Sequence, residues 1–254
     1  GIDTRALTRH LRLSGAMKGM ISTQDFDTKS LSRKLAKAPS MVGWNLVDEV
    51  TTKEKYVWPA EGAARFKVAA IDCGIKFNIL RILAKLGCEV HVFPAHTSLS
   101  EVIAISPDGL FISNGPGDPA VVTDVIRLVQ ESLGKIPTFG ICLGNQIVGL
   151  ALGGKTYKLK FGHHGANHPV KDLVGNTISI TSQNHGFCID VKSLNSEDVE
   201  VIHTNLNDHT VEGLRHKKFP LFSIQYHPEA SPGPTDAQYL FGEFIRMMEE
   251  CKKK

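Results

Sequence analysis

The 254-residue chain is poor in several things, and each shortage excludes a class of protein. Tryptophan occurs twice and tyrosine four times, and Lys plus Arg outnumber Asp plus Glu by only 29 to 26, a net charge of +3. So small a surplus, with no basic stripe interleaved with aromatics, argues against a nucleic-acid surface. No apolar run approaches the roughly 20 residues of a membrane span, so no membrane association is expected. The five cysteines, Cys73, Cys88, Cys142, Cys188 and Cys251, are odd in number, and none stands at C-x-x-C spacing. That speaks against a disulfide framework and a cysteine zinc site, and it fits a reducing, cytoplasmic compartment. Internal repeats and low-complexity tracts are missing too. The chain is 42% hydrophobic, ample for one large core with a smaller companion.

The first 65 residues read as two short helices and a connection. Asp3 is a good N-cap, Leu7 and Leu11 lie one turn apart, and Gly15 stops the pattern. A second helix is expected around Leu31–Lys37, followed by a mixed stretch, 39–65, with two prolines and both tryptophans. From Phe66 the texture changes to strands alternating with helices: FKVAAID, then NILRILAKLG, CEVHVF, DGLFIS, a helix over 119–133, PTFGI and NQIVGLAL. This alternation predicts an α/β domain with an open, mainly parallel sheet flanked by helices. Residues 155–227 read instead as extra short strands with turns, and the last helix as about Thr235–Glu250. Ligands of open α/β sheets bind at the carboxyl ends of the strands, so loops ending different strands converge there.

Four such loops carry residues fit for chemistry. In GICLG, Cys142 stands between Gly140 and Gly144, the pattern of a nucleophile elbow with cysteine in place of serine. The helix that follows points its N-terminus at the sulfur, which favours thiolate. A buried, inert cysteine is the plainer reading of the same residue. His227 ends the run LFSIQYH, and Glu229 two residues on can orient its ring, with Pro228 stiffening the link. A surface turn would also produce H-P-E. In NGPGDP, Gly115 and Gly117 let the backbone approach a ligand, so this loop can supply half of an oxyanion hole and the Leu143 N–H the other half. A plain β-to-α turn is the alternative. SQNHGF, with Asn184, His185 and Gly186, either binds a polar ligand or turns the chain. His163, His164 and His168 in FGHHGANHP look like metal ligands, but no carboxylate or cysteine lies near them in sequence, and no metal is expected.

Together GICLGNQ, QNHGF, QYHPE and NGPGDP resemble the class I, triad-type glutamine amidotransferase domain over about residues 66–250. IDTRALTRHLR, IDCGIKFNI, SNGPGDPA, GGKTYKLKFGHHGANHPV and HPEASPGP narrow the resemblance to the small-subunit family of glutamine-hydrolysing carbamoyl-phosphate synthases. It implies a flavodoxin-like sheet over 66–254. Residues 1–65 would then be the C-terminal remnant of a small N-terminal domain, plus linker; in the family that domain adds a serine to the glutamine site. It further implies Cys142 as nucleophile, His227 as base and acid, and Glu229 as its orienter. Gly115, Gly117, Leu143, Gln146, Asn184, Gly186 and Phe187 would hold L-glutamine. Asn145 departs from the family, where histidine is commoner, and its role is open. The implied partner is a large synthetase subunit that carries ATP, Mg and bicarbonate and makes carbamoyl phosphate for pyrimidine or arginine synthesis, with no cofactor on this chain. The alternatives are an amidotransferase feeding another synthetase and a non-catalytic docking module.

Overall fold

In the computed structural model, which describes residues 1–253, one ten-stranded sheet organises the chain. Its centre is built from β2 (Phe66–Asp72), β3 (Cys88–Pro94), β4 (Gly109–Ile112), β5 (Thr138–Ile141) and β10 (Leu221–Ile224). These five are parallel, in the order β3-β2-β4-β5-β10. That is the flavodoxin-like order, with its switch point between β2 and β4. The strands are short and apolar on both faces, as parallel strands covered on both sides must be. Val68, Ala70 and Phe111 enter one core with α4 (Phe77–Lys85) and α8 (Tyr239–Lys252). Ala69, Ile71, Leu110 and Ile112 enter the other, with α6 (Thr123–Ser132) and α7 (Leu143–Ala151).

The remaining strands pair antiparallel. β9 (Val211–His216), β8 (Val199–Asn205), β6 (Lys155–Asp172) and β7 (Ile178–Asp190) continue the sheet beyond β10. The extra strands expected as short pieces are therefore, in part, one long hairpin: β6 has 18 residues and β7 has 13. FGHHGANHP and SQNHGF lie within these strands, not in turns. The long hairpin hides in the sequence because β6 is little buried on either face, β7 buries runs of consecutive residues at 181–183 and 187–189, and β6 carries two register shifts, all of which break the period-2 pattern.

Two helices also differ from their expected spans. The helix expected over 119–133 divides into a 3₁₀ turn, Pro119–Val121, and α6, with Val122 between them. α8 starts at Tyr239, because the glycine- and proline-rich stretch 231–234 is still turning. Near the N-terminus, α1 (Thr4–Ser14) and α2 (Thr28–Lys37) form with aspartate caps at Asp3 and Asp27, yet neither buries a residue. The connection after them packs on the α/β body. α3 (Val47–Val50) buries Val47 in the second core, Thr51 and Thr52 bond to Asp72, and β1 (Tyr56–Trp58) pairs antiparallel with the edge of β3. Among the described residues no helix is long and apolar enough to cross a membrane.

Candidate active site

β2, β4, β5 and β10 end on one edge of the sheet, and the residues that follow them line one cavity of about 420 Å³. Lys76 comes from the loop after β2, Asn114, Gly115 and Gly117 from the loop after β4, Cys142 and Gln146 from the β5–α7 junction, and His227 from the end of β10. β7 adds Asn184, Gly186 and Phe187, and Ala16 and Met41 reach the wall from the N-terminal segment.

Cys142 sits on a strained turn. Its φ is +56° and its ψ −102°, a combination that costs a non-glycine residue on the order of 1–3 kcal/mol. Packing enforces it. A Cβ on Gly144 would collide with the Ile112 carbonyl oxygen, and one on Gly140 would lie 2.8 Å from the Gly144 carbonyl oxygen. The Cys142 N–H donates to Ile224 O at 2.8 Å, so the turn is stitched to β10. Leu143 is the first residue of α7, and its N–H lacks an intrahelical acceptor. Across from it, Gly115 sits so close that a Cβ would collide with Cys73 O and come 2.7 Å from the Leu143 side chain. Burial drives Cys88 and Cys188 up to about 12 and Cys73 higher still, so these three stay thiols.

His227 is almost wholly buried. Its Nδ1 donates to Glu229 Oε1 at 2.7 Å, and Lys76 Nζ lies 3.0 Å from the same oxygen. The backbone carbonyl of Glu229 is held by Asn78 Nδ2. Burial opposes charge on the His227 ring, but the charge of Cys142, its hydrogen bond to the ring and the Glu229 carboxylate prevail and raise it to about 10. Glu229 moves the other way. Burial disfavours its charge, yet its bond to His227, with Lys76 behind, holds the carboxyl below its usual range. The arrangement can hold a thiolate beside an imidazolium, with backbone N–H groups aimed at the neighbouring space.

The other sequence-predicted residues fall on the same cavity, apart from two. Leu143 lies at the elbow, buried, and Glu229 lies behind His227. Gln146 donates through Nε2 to Phe187 O at 2.8 Å and to Gln225 Oε1 at 3.1 Å. Gly117 has φ +92° and packs on Trp44 and Leu46. Asn184 accepts at Oδ1 from His164 Nδ1. Lys76, Asn114 and Lys158 join the cavity without a role expected from sequence; for Lys76 and Asn114 the available signal is their place in IDCGIK and SNGPGDPA, directly after apolar runs.

The histidine group divides. His163 and His185 meet Glu212, which the fold brings in from β9, and their ligand-type atoms lie within 4.8 Å of one another. This is the set of described residues that could hold a metal ion. Hydrogen bonds already engage its nitrogens and oxygens. His185 Nδ1 faces Phe187 O at 2.8 Å and must donate, and burial pushes the ring down to about 4; its Nε2 lies 3.0 Å from Gln183 Oε1 and 3.2 Å from His163 Nδ1. His163 Nε2 donates to Asp208 at 2.8 Å, and its Nδ1 stands 3.2 Å from His185 Nε2 and 3.6 Å from Glu212 Oε1. His163 stands between Asp208 and Glu212; burial opposes charge on its ring, but the two carboxylates outweigh it and raise the ring above its ordinary value.

One string, Gly149–Thr156 (GLALGGKT), matches the phosphate-loop pattern G-x-x-x-x-G-K-[ST]. It runs from the end of α7 into β6, the reverse of the strand-loop-helix order that turns backbone N–H groups onto a phosphate. The match has no cradle behind it.

A family model, "Glutamine amidotransferase class-I", matches residues 69–247, which span the sheet, the elbow and the His227 loop. The chain belongs to the class-I glutamine amidotransferases. Within that class it belongs to the carbamoyl phosphate synthase small-chain family. It is 53% identical to the "Carbamoyl phosphate synthase small chain" of Syntrophotalea carbinolica, matching 100% of this chain and 70% of the relative. The small chain of Aquifex aeolicus is 54% identical, over 98% of this chain and 70% of the relative. Among solved structures, a putative GMP synthase protein from Thermoplasma acidophilum shares the fold, with a TM-score of 0.64 and 24% identity, covering 74% of this chain and 96% of that one.

Proposed function

We propose that this chain is the glutaminase subunit of a carbamoyl-phosphate synthase. The observation that carries the reading is the Cys142 elbow facing a His227 ring that Glu229 orients, in a cavity that also holds Gly115 and Gln146. The Cys142 thiolate adds to the side-chain carboxamide carbon of L-glutamine, and the N–H groups of Gly115 and Leu143 receive the oxyanion. Imidazolium His227 gives its proton to the leaving nitrogen, and ammonia departs, leaving a glutamyl thioester. Neutral His227 then takes a proton from water as its oxygen attacks the thioester. Glutamate leaves, and thiolate and imidazolium are restored. Glutamine and one water thus give glutamate, one ammonia and one proton.

Ammonia released into bulk water becomes ammonium, which is not a nucleophile, so the product calls for a partner that receives it out of solvent. We infer a large synthetase subunit in that role, holding ATP, Mg and bicarbonate. Ammonia release from L-glutamine by the wild-type chain and by Cys142→Ala, each with and without that subunit, tests the reading. Release by the wild type and none by the variant supports it; equal release by both contradicts it.

A further inference from the structure

Among the described residues no aspartate or glutamate lines the cavity at the elbow. Its other charged groups fall into pairs. Cys142 and His227 carry opposite charges in the arrangement above, and Lys76 Nζ is engaged by Glu229 Oε1 at 3.0 Å, behind the ring. Lys158 is left without a counter-charge.

Strand register brings Lys158 to the cavity. It stands on β6 directly opposite Phe187 of β7, and paired residues of an antiparallel ladder send their side chains to the same face. Its Nζ lies 5.8 Å from the centre of the Phe187 ring and 3.7 Å from the point where a Cβ on Gly186 would stand. Among the described residues no carboxylate lies within ion-pair distance of that Nζ, and no acceptor bonds to it. The neighbouring imidazoles supply no anion: His164 Nδ1 is turned to Asn184 Oδ1, and His185 Nδ1 to Phe187 O. The Lys158 ammonium therefore leaves the cavity with one unpaired positive charge. In a concave site with low-dielectric walls, such a charge acts over several ångströms and raises the local concentration of anions.

We infer that Lys158 is a specificity-determining residue: its unpaired ammonium makes the cavity discriminate by net charge, favouring anionic ligands over neutral ones. The inference rests on the glutaminase reading above and adds a consequence for it. L-Glutamine is a zwitterion of net charge zero, whereas the product L-glutamate carries one net negative charge. Lys158 therefore strengthens product binding more than substrate binding.

The test pairs two reagents that alkylate Cys142, iodoacetate and iodoacetamide, which differ by a carboxylate in place of an amide. Rates at the Cys142 peptide are followed by mass spectrometry for wild type, Lys158→Met and Lys158→Arg. Lys158→Met is expected to slow iodoacetate about threefold to tenfold, the effect of one partly screened charge, and to leave iodoacetamide within about twofold. Lys158→Arg restores the charge on a different side chain and is expected to return iodoacetate to near the wild-type rate. In turnover of L-glutamine, Lys158→Met is expected to raise the inhibition constant of L-glutamate about threefold or more beyond any change in KM for L-glutamine. A merely structural role would move both reagents alike. Equal changes with both reagents, no change with either, or a folded Lys158→Arg variant as slow with iodoacetate as Lys158→Met would overturn the inference. So would an inhibition constant and a KM that move together. Failure of the wild-type chain to release ammonia from L-glutamine would overturn the function beneath it, and the two reagents would still decide the charge selection by Lys158.

Discussion

His227 Nδ1 stands 2.7 Å from Oε1 of Glu229, a carboxylate with no solvent exposure. The carboxylate and Cys142 together keep the ring protonated far above its ordinary value of 6.5, against the pull of burial. Glu229→Gln removes one of these two supports, so the ring loses its proton at lower pH. The alkaline limb of the kcat/KM profile is expected to move down in pH, and the plateau to fall by about 10²–10⁴, the range of a misplaced general acid–base. An unchanged alkaline limb would mean that Glu229 does not act through the ring.

The same pair sets a pH dependence of stability. The folded value for His227 lies above the unfolded one, so its stabilisation is full below about pH 6.5 and fades as pH rises toward about 10. Glu229 is depressed, so its contribution is present above the ordinary carboxylate range and is lost as pH falls through its lowered value. Urea titrations of wild type and Cys142→Ala between pH 7 and 10 check the first part. The wild type is expected to lose more stability over this window, because Cys142 is a principal source of the raised His227 value.

Backbone strain at Cys142 makes another prediction. At φ +56° and ψ −102°, a glycine is less strained than any side chain. Cys142→Gly is expected to melt higher than Cys142→Ala, by the equivalent of about 1–3 kcal/mol, while both are inactive. Ordinarily glycine would be the weaker replacement, so the sign of the difference is the test. Gly144→Ala works in reverse: its Cβ would run into Ile112 O. It is expected to destabilise by about 1–3 kcal/mol and to slow Cys142 alkylation, since α7 must move off β4.

The protonation of His163 and His185 can be followed directly. Nitrogen NMR of the histidine rings across pH is expected to show His163 losing its proton above the ordinary histidine value and His185 carrying a hydrogen on Nδ1. His185, facing Gln183, Phe187, His163 and, at longer range, Glu212 and His227, is held down to about 4. The unfolded chain therefore takes up a proton between about pH 6.5 and 4 that the folded one refuses, and stability falls across that window. His185→Asn is expected to flatten the fall. Added Zn²⁺ is expected to leave the melting temperature unchanged; a rise that His163→Gln removes would mean that a metal displaces the hydrogen bonds of this cluster.

Local signals are enough wherever one short stretch determines its own structure. Asp3 and Asp27 cap their helices, Gly15 ends α1, and the parallel strands show as apolar runs because both their faces are covered. GICLG announces an elbow because both glycines are sterically required there. What stays hidden depends on long-range pairing. The β6–β7 hairpin joins residues whose patterning is blurred by register shifts, by a little-buried β6 and by consecutive buried residues in β7. Glu212 reaches His163 from 49 positions away along the chain, as the residue numbers show, and so it cannot be weighed with FGHHGANHP. Tyr56–Trp58, in a stretch that reads as linker, becomes an edge strand only because β3 is there to pair with it. Asn145 is visible as a departure from the family, but its partners, Ser223 and Gln225, lie 78 and 80 positions along the chain and are brought in by β10, the neighbour of β5 in the sheet.

The central claim is that Cys142 forms the covalent intermediate. Rapid acid quenching of the wild-type chain during turnover of L-glutamine, followed by peptide mass spectrometry, tests it most directly. The account predicts one glutamyl group on the Cys142 peptide, lost on longer incubation and missing from Cys142→Ala. Turnover with no adduct on Cys142, or an adduct on another cysteine, would contradict it.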